Sequence, residues 1–277
     1  MILKYKILLI LFILASNICL SQNITINGKV IGNNKEILQY VNIGIKYKNI
    51  GTISDENGNF EFITNKSNLN DSLSFSYLGF KELSVKISDI IDKNITEFIL
   101  KEKPFSLNEI TITSKKLTEK KLGTKSYVGF VAGYVRVNND KNNNIQEFAK
   151  ELNIKRPSKI LDLNINLFNV KIDTAKFRIN FYSIKENLPF EKIGTKNILI
   201  VHKVVNGWNK FDLKELDLKF ENPVFITLEY LPKEFNEQDP FRYSGQMLGK
   251  SITRSSSLGD WNVKKGITMA MYVTVSQ

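Results

Sequence analysis

Cysteine is all but missing from this sequence: Cys19 is the only one in 277 residues. It falls within the N-terminal segment that reads as a signal peptide, so the mature chain carries no thiol. Disulfides, thiolate nucleophiles and Cys-ligated zinc are excluded on that count. Histidine is equally scarce, with His202 alone. One histidine cannot make a His-pair metal site. A Ser-His-Asp triad would have to use His202, which sits inside the apolar run Ile198-Leu199-Ile200-Val201 and Lys203. The sequence has no Gly-x-Ser-x-Gly elbow, no phosphate-binding glycine loop and no dinucleotide fingerprint. No cofactor is expected.

The N-terminus has three parts in order: Lys4 and Lys6, an unbroken apolar run over residues 7–15, and the small residues Cys19 and Ser21 before Gln22. This is the pattern of a signal peptide over residues 1–21. The run is far short of the ~20 residues that cross a bilayer. Two other outcomes stay open: an uncleaved anchor, and a lipoprotein cut before Cys19, against which stands Ile18 where a small residue is expected. The formal charge is +11, and the lysines are scattered along the chain. Scattered positive charge on an exported protein does not point to nucleic acid. The expected location is the periplasm, outer membrane or cell surface.

From residue 24 the chain breaks into short apolar-alternating segments punctuated by Gly, Asn and Asp, an all-β pattern. Candidate strands cover residues 24–31, 40–47, 51–54, 59–64, 72–77, 83–87 and 96–100. Seven short strands in about 80 residues suit a two-sheet sandwich. Asn57 and Gly58 can take positive φ, which makes residues 55–58 a hairpin turn. The runs Gly28-Lys29-Val30, Tyr40-Val41-Asn42-Ile43, Gly51-Thr52-Ile53-Ser54-Asp55-Glu56-Asn57-Gly58-Asn59-Phe60 and Leu73-Ser74-Phe75-Ser76-Tyr77-Leu78-Gly79-Phe80 resemble the carboxypeptidase regulatory-like domain. The resemblance implies a transthyretin-like sandwich over residues 22–102. It does not bring carboxypeptidase chemistry, because the zinc site of the parent enzymes needs two histidines and a glutamate.

Residues 103–125 are rich in Lys, Thr, Ser and Glu and read as a linker. Leu107-Asn108-Glu109-Ile110-Thr111-Ile112-Thr113 is similar to the segment after this domain in outer-membrane TonB-dependent transporters, which implies an outer-membrane association. About 150 residues follow, too few for a plug and large barrel. Residues 126–277 are again β in pattern, with candidate strands at 127–137, 159–168, 176–184, 197–205, 224–231, 246–254 and 267–275. About eight long strands suggest a second, jelly-roll-like sandwich. The phrase Lys176-Phe177-Arg178-Ile179-Asn180-Phe181-Tyr182, with Gly207-Trp208 and Phe211-Asp212-Leu213, is similar to modules that follow regulatory-like domains in exported bacterial proteins.

With chemistry so restricted, the candidate ligand-binding residues are aromatics placed by the sequence in loops of the second half: Trp208, Phe235, Phe241, Tyr243 and Trp261, with Arg242 and Asp260 beside them. Flat rings beside amides and acids are the means by which a β-sandwich grips a sugar or a protein. The expected protein is thus a non-enzymatic envelope binder of a glycan or protein partner. The alternatives are a structural accessory subunit of an outer-membrane complex, or a hydrolase using His202 or a carboxylate pair.

Overall fold

The computed structural model describes residues 23–103, 117–137, 144–232 and 238–277. The first unit has seven strands: β1 (Asn23–Gly32), β2 (Asn42–Ile45), β3 (Ile50–Ile53), β4 (Asn59–Asn65), β5 (Ser72–Ser76), β6 (Leu83–Lys86) and β7 (Glu97–Leu100). They form two sheets, ordered β4-β1-β7 and β3-β2-β5-β6, closed on a core that includes Val30, Ile43, Phe62, Leu73 and Leu100. At its centre Phe75 stacks on Phe98 with ring centroids 4.4 Å apart, and Phe60 leans on both. The turn before β4 is held by Asp55, whose Oδ1 accepts the backbone N–H of Asn57 and of Asn59, each at 2.8 Å. Gly58 supplies the positive φ. The sequence pattern carried the sixth strand to residue 87. The structure instead starts a short helix there, α1 (Ile87–Asp92), because Ile87 and Ile90 fall one turn apart and both enter the core.

Among the described residues the second unit contains twelve strands: β8 (Glu119–Gly123), β9 (Val128–Arg136), β10 (Gln146–Leu152), β11 (Ser158–Phe168), β12 (Thr174–Lys185), β13 (Leu188–Lys203), β14 (Gly207–Asp212), β15 (Lys219–Phe220), β16 (Val224–Leu231), β17 (Gln238–Arg254), β18 (Asn262–Met269) and β19 (Met271–Ser276). All twelve are hydrogen-bonded into one sheet with the main order β13-β12-β16-β10-β17-β11-β19-β8. Strands β14 and β15 also pair with β11, and β9 and β18 with β17. Rings on β12 touch rings on strands far from it in this order: Phe177 meets Phe211 of β14, and Phe181 meets Phe220 of β15. The sheet therefore folds over a single core, one half facing the other.

The strands beyond the expected eight arise where polar residues hide them. Residues 119–123, read from composition as linker, are β8 and pair with β19. Residues 206–209 read as a turn, yet β14 begins at Gly207. Strand β10 carries Glu147 and Lys150 in the middle of its pattern. Among the described residues no helix is long and apolar enough to cross a membrane.

The two units are pressed together. Strand β12 sends Phe177, Ile179 and Phe181 into its own core, and period-2 geometry puts Arg178, Asn180 and Tyr182 on the opposite face. Those three are as buried as the core, because the first unit covers part of that face and the loop after β17 covers more. The close approach needs two glycines. Gly44 of β2 and Gly51 of β3 are direct cross-strand partners. A Cβ on Gly44 would lie 2.7 Å from the Ser257 carbonyl oxygen, and one on Gly51 would lie 2.6 Å from it.

Because the clashing atoms are backbone, Gly51→Ala should open the seam or strain it, at about 1–3 kcal/mol. Urea unfolding of the variant tests this; an unchanged midpoint would show that the seam yields freely.

Candidate functional site

The buried face between the units holds a closed set of charges. Arg178 donates from Nε to Glu229 Oε2 at 2.8 Å and from Nη2 to Glu229 Oε1 at 2.6 Å. The same guanidinium reaches into the first unit, donating to Asn42 Oδ1 at 2.9 Å and to the Tyr40 carbonyl. One strand further on, Arg254 donates to Glu147 Oε2 at 2.5 Å. Thr227 and Tyr182 hydroxyls and the Asn180 amide fill the remaining lone pairs of Glu147. Asn180 also donates to Glu229, which ties the two ion pairs into one network. Trp261 caps it, with the Arg254 guanidinium 4.5 Å from its ring centroid.

The network contains two arginines and two glutamates, so these charges cancel. Burial alone would raise the Glu229 carboxyl, but Arg178, with Lys192 and Arg254, outweighs it and holds Glu229 at about 2. Lys192, from β13, donates to Asn42 Oδ1 at 3.0 Å. Burial, reinforced by Arg178, pushes its ammonium down to about 7. This arrangement is sealed against ligands and fixes how the units sit together.

Beside the seam opens a cleft of about 980 Å³, lined by both units, among them Tyr40, Glu56, Glu61, Asp173, Lys176 and Leu231. At its edge the Tyr40 hydroxyl donates to Glu56 at 2.8 Å, and Lys176 donates to Tyr40 at 2.6 Å and pairs with Glu56. The Lys176 and Tyr40 hydrogen bonds hold the Glu56 carboxyl below its usual range. Among the described residues no group of three His, Cys, Asp or Glu side chains is placed to hold a metal ion.

The structure separates the aromatic candidates. Phe241 and Tyr243 are not in a loop: both lie within β17 and are fully buried. Pro240 and the surrounding charges masked a period-2 pattern that continues the strand. The Tyr243 hydroxyl has no hydrogen-bond partner, and burial raises its pKa. Between them Arg242 points away from the core, bonded to Asp239 at 2.7 Å and stacked 4.8 Å over Tyr134. Asp260 and Trp261 belong to the seam: the Asp260 N–H donates to Asn49 Oδ1 at 2.8 Å, and Trp261 sits on Tyr182 as well as Arg254. Phe235 lies outside the described residues. His202 packs on Phe211 at 4.5 Å, and partial burial lowers its pKa.

Among the described aromatic candidates, Trp208 alone builds a surface. It lies on the outward side of β14, half-buried, edge-on to Tyr272 of β19 at 4.9 Å and to Tyr127 at 5.9 Å. The Lys121 ammonium stands 5.1 Å from the Tyr272 ring centroid. Cross-strand pairing puts Trp208 opposite Asn166 and Tyr272 opposite Asn164 of β11, so the rings share a face with the polar row Asp162, Asn164 and Asn166. Asn164 donates to Asp162 Oδ1 at 2.5 Å, and Lys210 pairs with Asp162 at 3.2 Å. The Nδ2 of Asn166 is buried with no hydrogen-bond partner. Tyr127, Tyr272 and this polar row were not among the sequence candidates. The alternation of Asp162, Asn164 and Asn166 with Leu163, Ile165 and Leu167 carried the signal for the row.

Residues 26–112 match the family model described as the CarboxypepD_reg-like domain. The first unit is thus a carboxypeptidase regulatory-like domain, a non-catalytic module, and the match ends before the twelve-stranded sheet begins. Comparison with curated proteins finds no match.

Removing one member of the buried network should cost far more than removing a pair. Arg178→Met strands the Glu229 carboxylate and should destabilise by about 3–5 kcal/mol, whereas Arg178→Met with Glu229→Leu should recover most of that. Because the Glu229 carboxyl is depressed on folding, its contribution is complete above its ordinary range near 4.5 and is lost as pH falls towards 2. Urea unfolding across that window should show a steep acid loss in the wild type and a shallower one in the double variant. Identical slopes would remove Glu229 from the account of acid sensitivity.

Proposed function

We propose that the protein is a non-enzymatic, exported cell-envelope protein whose second unit binds a glycan on the outward face around Trp208. The observation that carries this reading is the placement of three aromatic rings over a polar row with an unpaired amide donor. A pyranose presents C–H groups on its faces and hydroxyls at its rim. The rings take the first by stacking, and Lys210, exposed on the same side of β14, with the unpaired Nδ2 of Asn166, offers donors to the second. A buried Nδ2 without a partner costs free energy in the unliganded protein, and an acceptor oxygen from a ligand restores it. Export is supported by the N-terminal segment, with its basic, apolar and small-residue parts in order.

The regulatory-like domain serves here as the covering half of a rigid pair. Its glycine-faced sheet and the Arg178 hydrogen bonds hold it on the second unit, so it stays fixed while the opposite region of the larger sheet meets the ligand. The same rigid pairing fits a structural accessory subunit of an outer-membrane complex. That second reading predicts capture of a membrane protein and no affinity for polysaccharide.

The mature protein, titrated with purified envelope polysaccharides and tested on a glycan array, should bind at least one class. Trp208→Ala should weaken that binding by about 1–3 kcal/mol, roughly five- to 150-fold, with little change in unfolding. Equal affinity in the variant, or no polysaccharide bound by folded wild type, would overturn the proposal.

A further inference from the structure

Asn42 of β2 and Lys192 of β13 come from different units, 150 residues apart in sequence, and meet in the seam with Nζ 3.0 Å from Oδ1. The surroundings of this pair resemble a reaction site more than an ordinary contact. Arg178 Nη2 donates to the same Asn42 oxygen at 2.9 Å. A guanidinium on a carbonyl oxygen draws electrons from the carbon and stabilises negative charge there if a nucleophile adds. The amide nitrogen is also held: Asn42 Nδ2 donates to Ser257 Oγ at 3.1 Å. Ser257 is itself fixed by Asn144, which donates to its Oγ at 2.8 Å and accepts its backbone N–H at 3.0 Å. The amide group is thus clamped at both ends.

The amine is prepared as well. A lysine in water is protonated and has no lone pair to offer. Burial and the neighbouring Arg178 charge lower Lys192 to about 7, so much of it is the free amine near neutral pH. The Glu229 carboxylate, bonded to Arg178, works the other way by favouring the ammonium, and burial with Arg178 outweighs it.

We propose that Lys192 and Asn42 join in an isopeptide bond that covalently straps the regulatory-like domain to the second unit. The Lys192 nitrogen adds to Cγ of Asn42, and the carbonyl electrons move to Oδ1 against Arg178. As the new bond forms, the attacking nitrogen gives up a proton and Nδ2 gains one. The Cγ–Nδ2 bond then breaks and one ammonia leaves. The products are a secondary amide and ammonia; no oxidant, reductant or cofactor takes part. A link spanning 150 residues removes many conformations from the unfolded chain and so raises resistance to unfolding.

Intact mass spectrometry of the folded, purified protein decides the matter. Wild type should be lighter than its sequence mass by one ammonia, and its digest should contain a branched peptide joining the Asn42 and Lys192 segments. Lys192→Arg and Asn42→Ala should each show their full sequence mass and no branched peptide. Folded wild type at full mass overturns the proposal. So does a digest of folded wild type that lacks the branched peptide whatever the intact mass, since a succinimide at an asparagine or cyclisation of an N-terminal Gln22 loses ammonia without involving Lys192.

Discussion

A guanidinium and a carboxylate taken out of water together, as Arg178 and Glu229 are, must recover their hydration from each other and from the groups around them. Two parallel hydrogen bonds do part of this, and the guanidinium has donors left over. Those remaining donors find the Tyr40 carbonyl and the Asn42 amide, both on the other unit. The pair is therefore fully satisfied only when the two units are docked. This single requirement explains why β2 approaches so closely, why Gly44 and Gly51 lack side chains where Ser257 passes, and why Asn42 is buried in a strand otherwise composed for a core. Shape and charge at the seam are one constraint.

The strand pattern of the regulatory-like domain was legible because most of its strands alternate over a small core, β1, β4 and β7 among them. Period-2 alternation also located β12 and β16 and the side of each that faces inward. It could not tell a wet polar face from a covered one. Arg178, Asn180, Thr227 and Glu229 occupy positions that would look the same on a solvent-facing sheet, and nothing local in the sequence marks them as an interface. The same blindness made β10 hard to see, since Glu147 is a buried member of the network and not a surface charge.

The aromatic candidates divide along similar lines. Neighbouring Pro240 and Arg242 made residues 241–243 resemble a loop, although Phe241 and Tyr243 alternate as a strand should. Trp261 sits in a loop as its surroundings imply, but the loop turns back over the sheet and places the ring on Arg254. Trp208 belongs to a strand and yet keeps an accessible edge, because β14 lies on a part of β11 that the first unit does not cover. Loop position and exposure are separate properties, and the tertiary arrangement decides the second.

Strand β19 is held between β11 and β8, with Ile165 opposite Met271 and Glu119 opposite Ser276. Both partners precede it by more than a hundred residues, so these ladders demand long loop closures. Until β19 inserts, β11 and β8 lack that neighbour, and the folding of the second unit waits on its most distant pairing. Tyr272 travels on β19, and its contact with Trp208 forms only at that step. The aromatic surface is consequently a property of the finished fold alone: a chain stalled short of completion has the same residues but never presents them together.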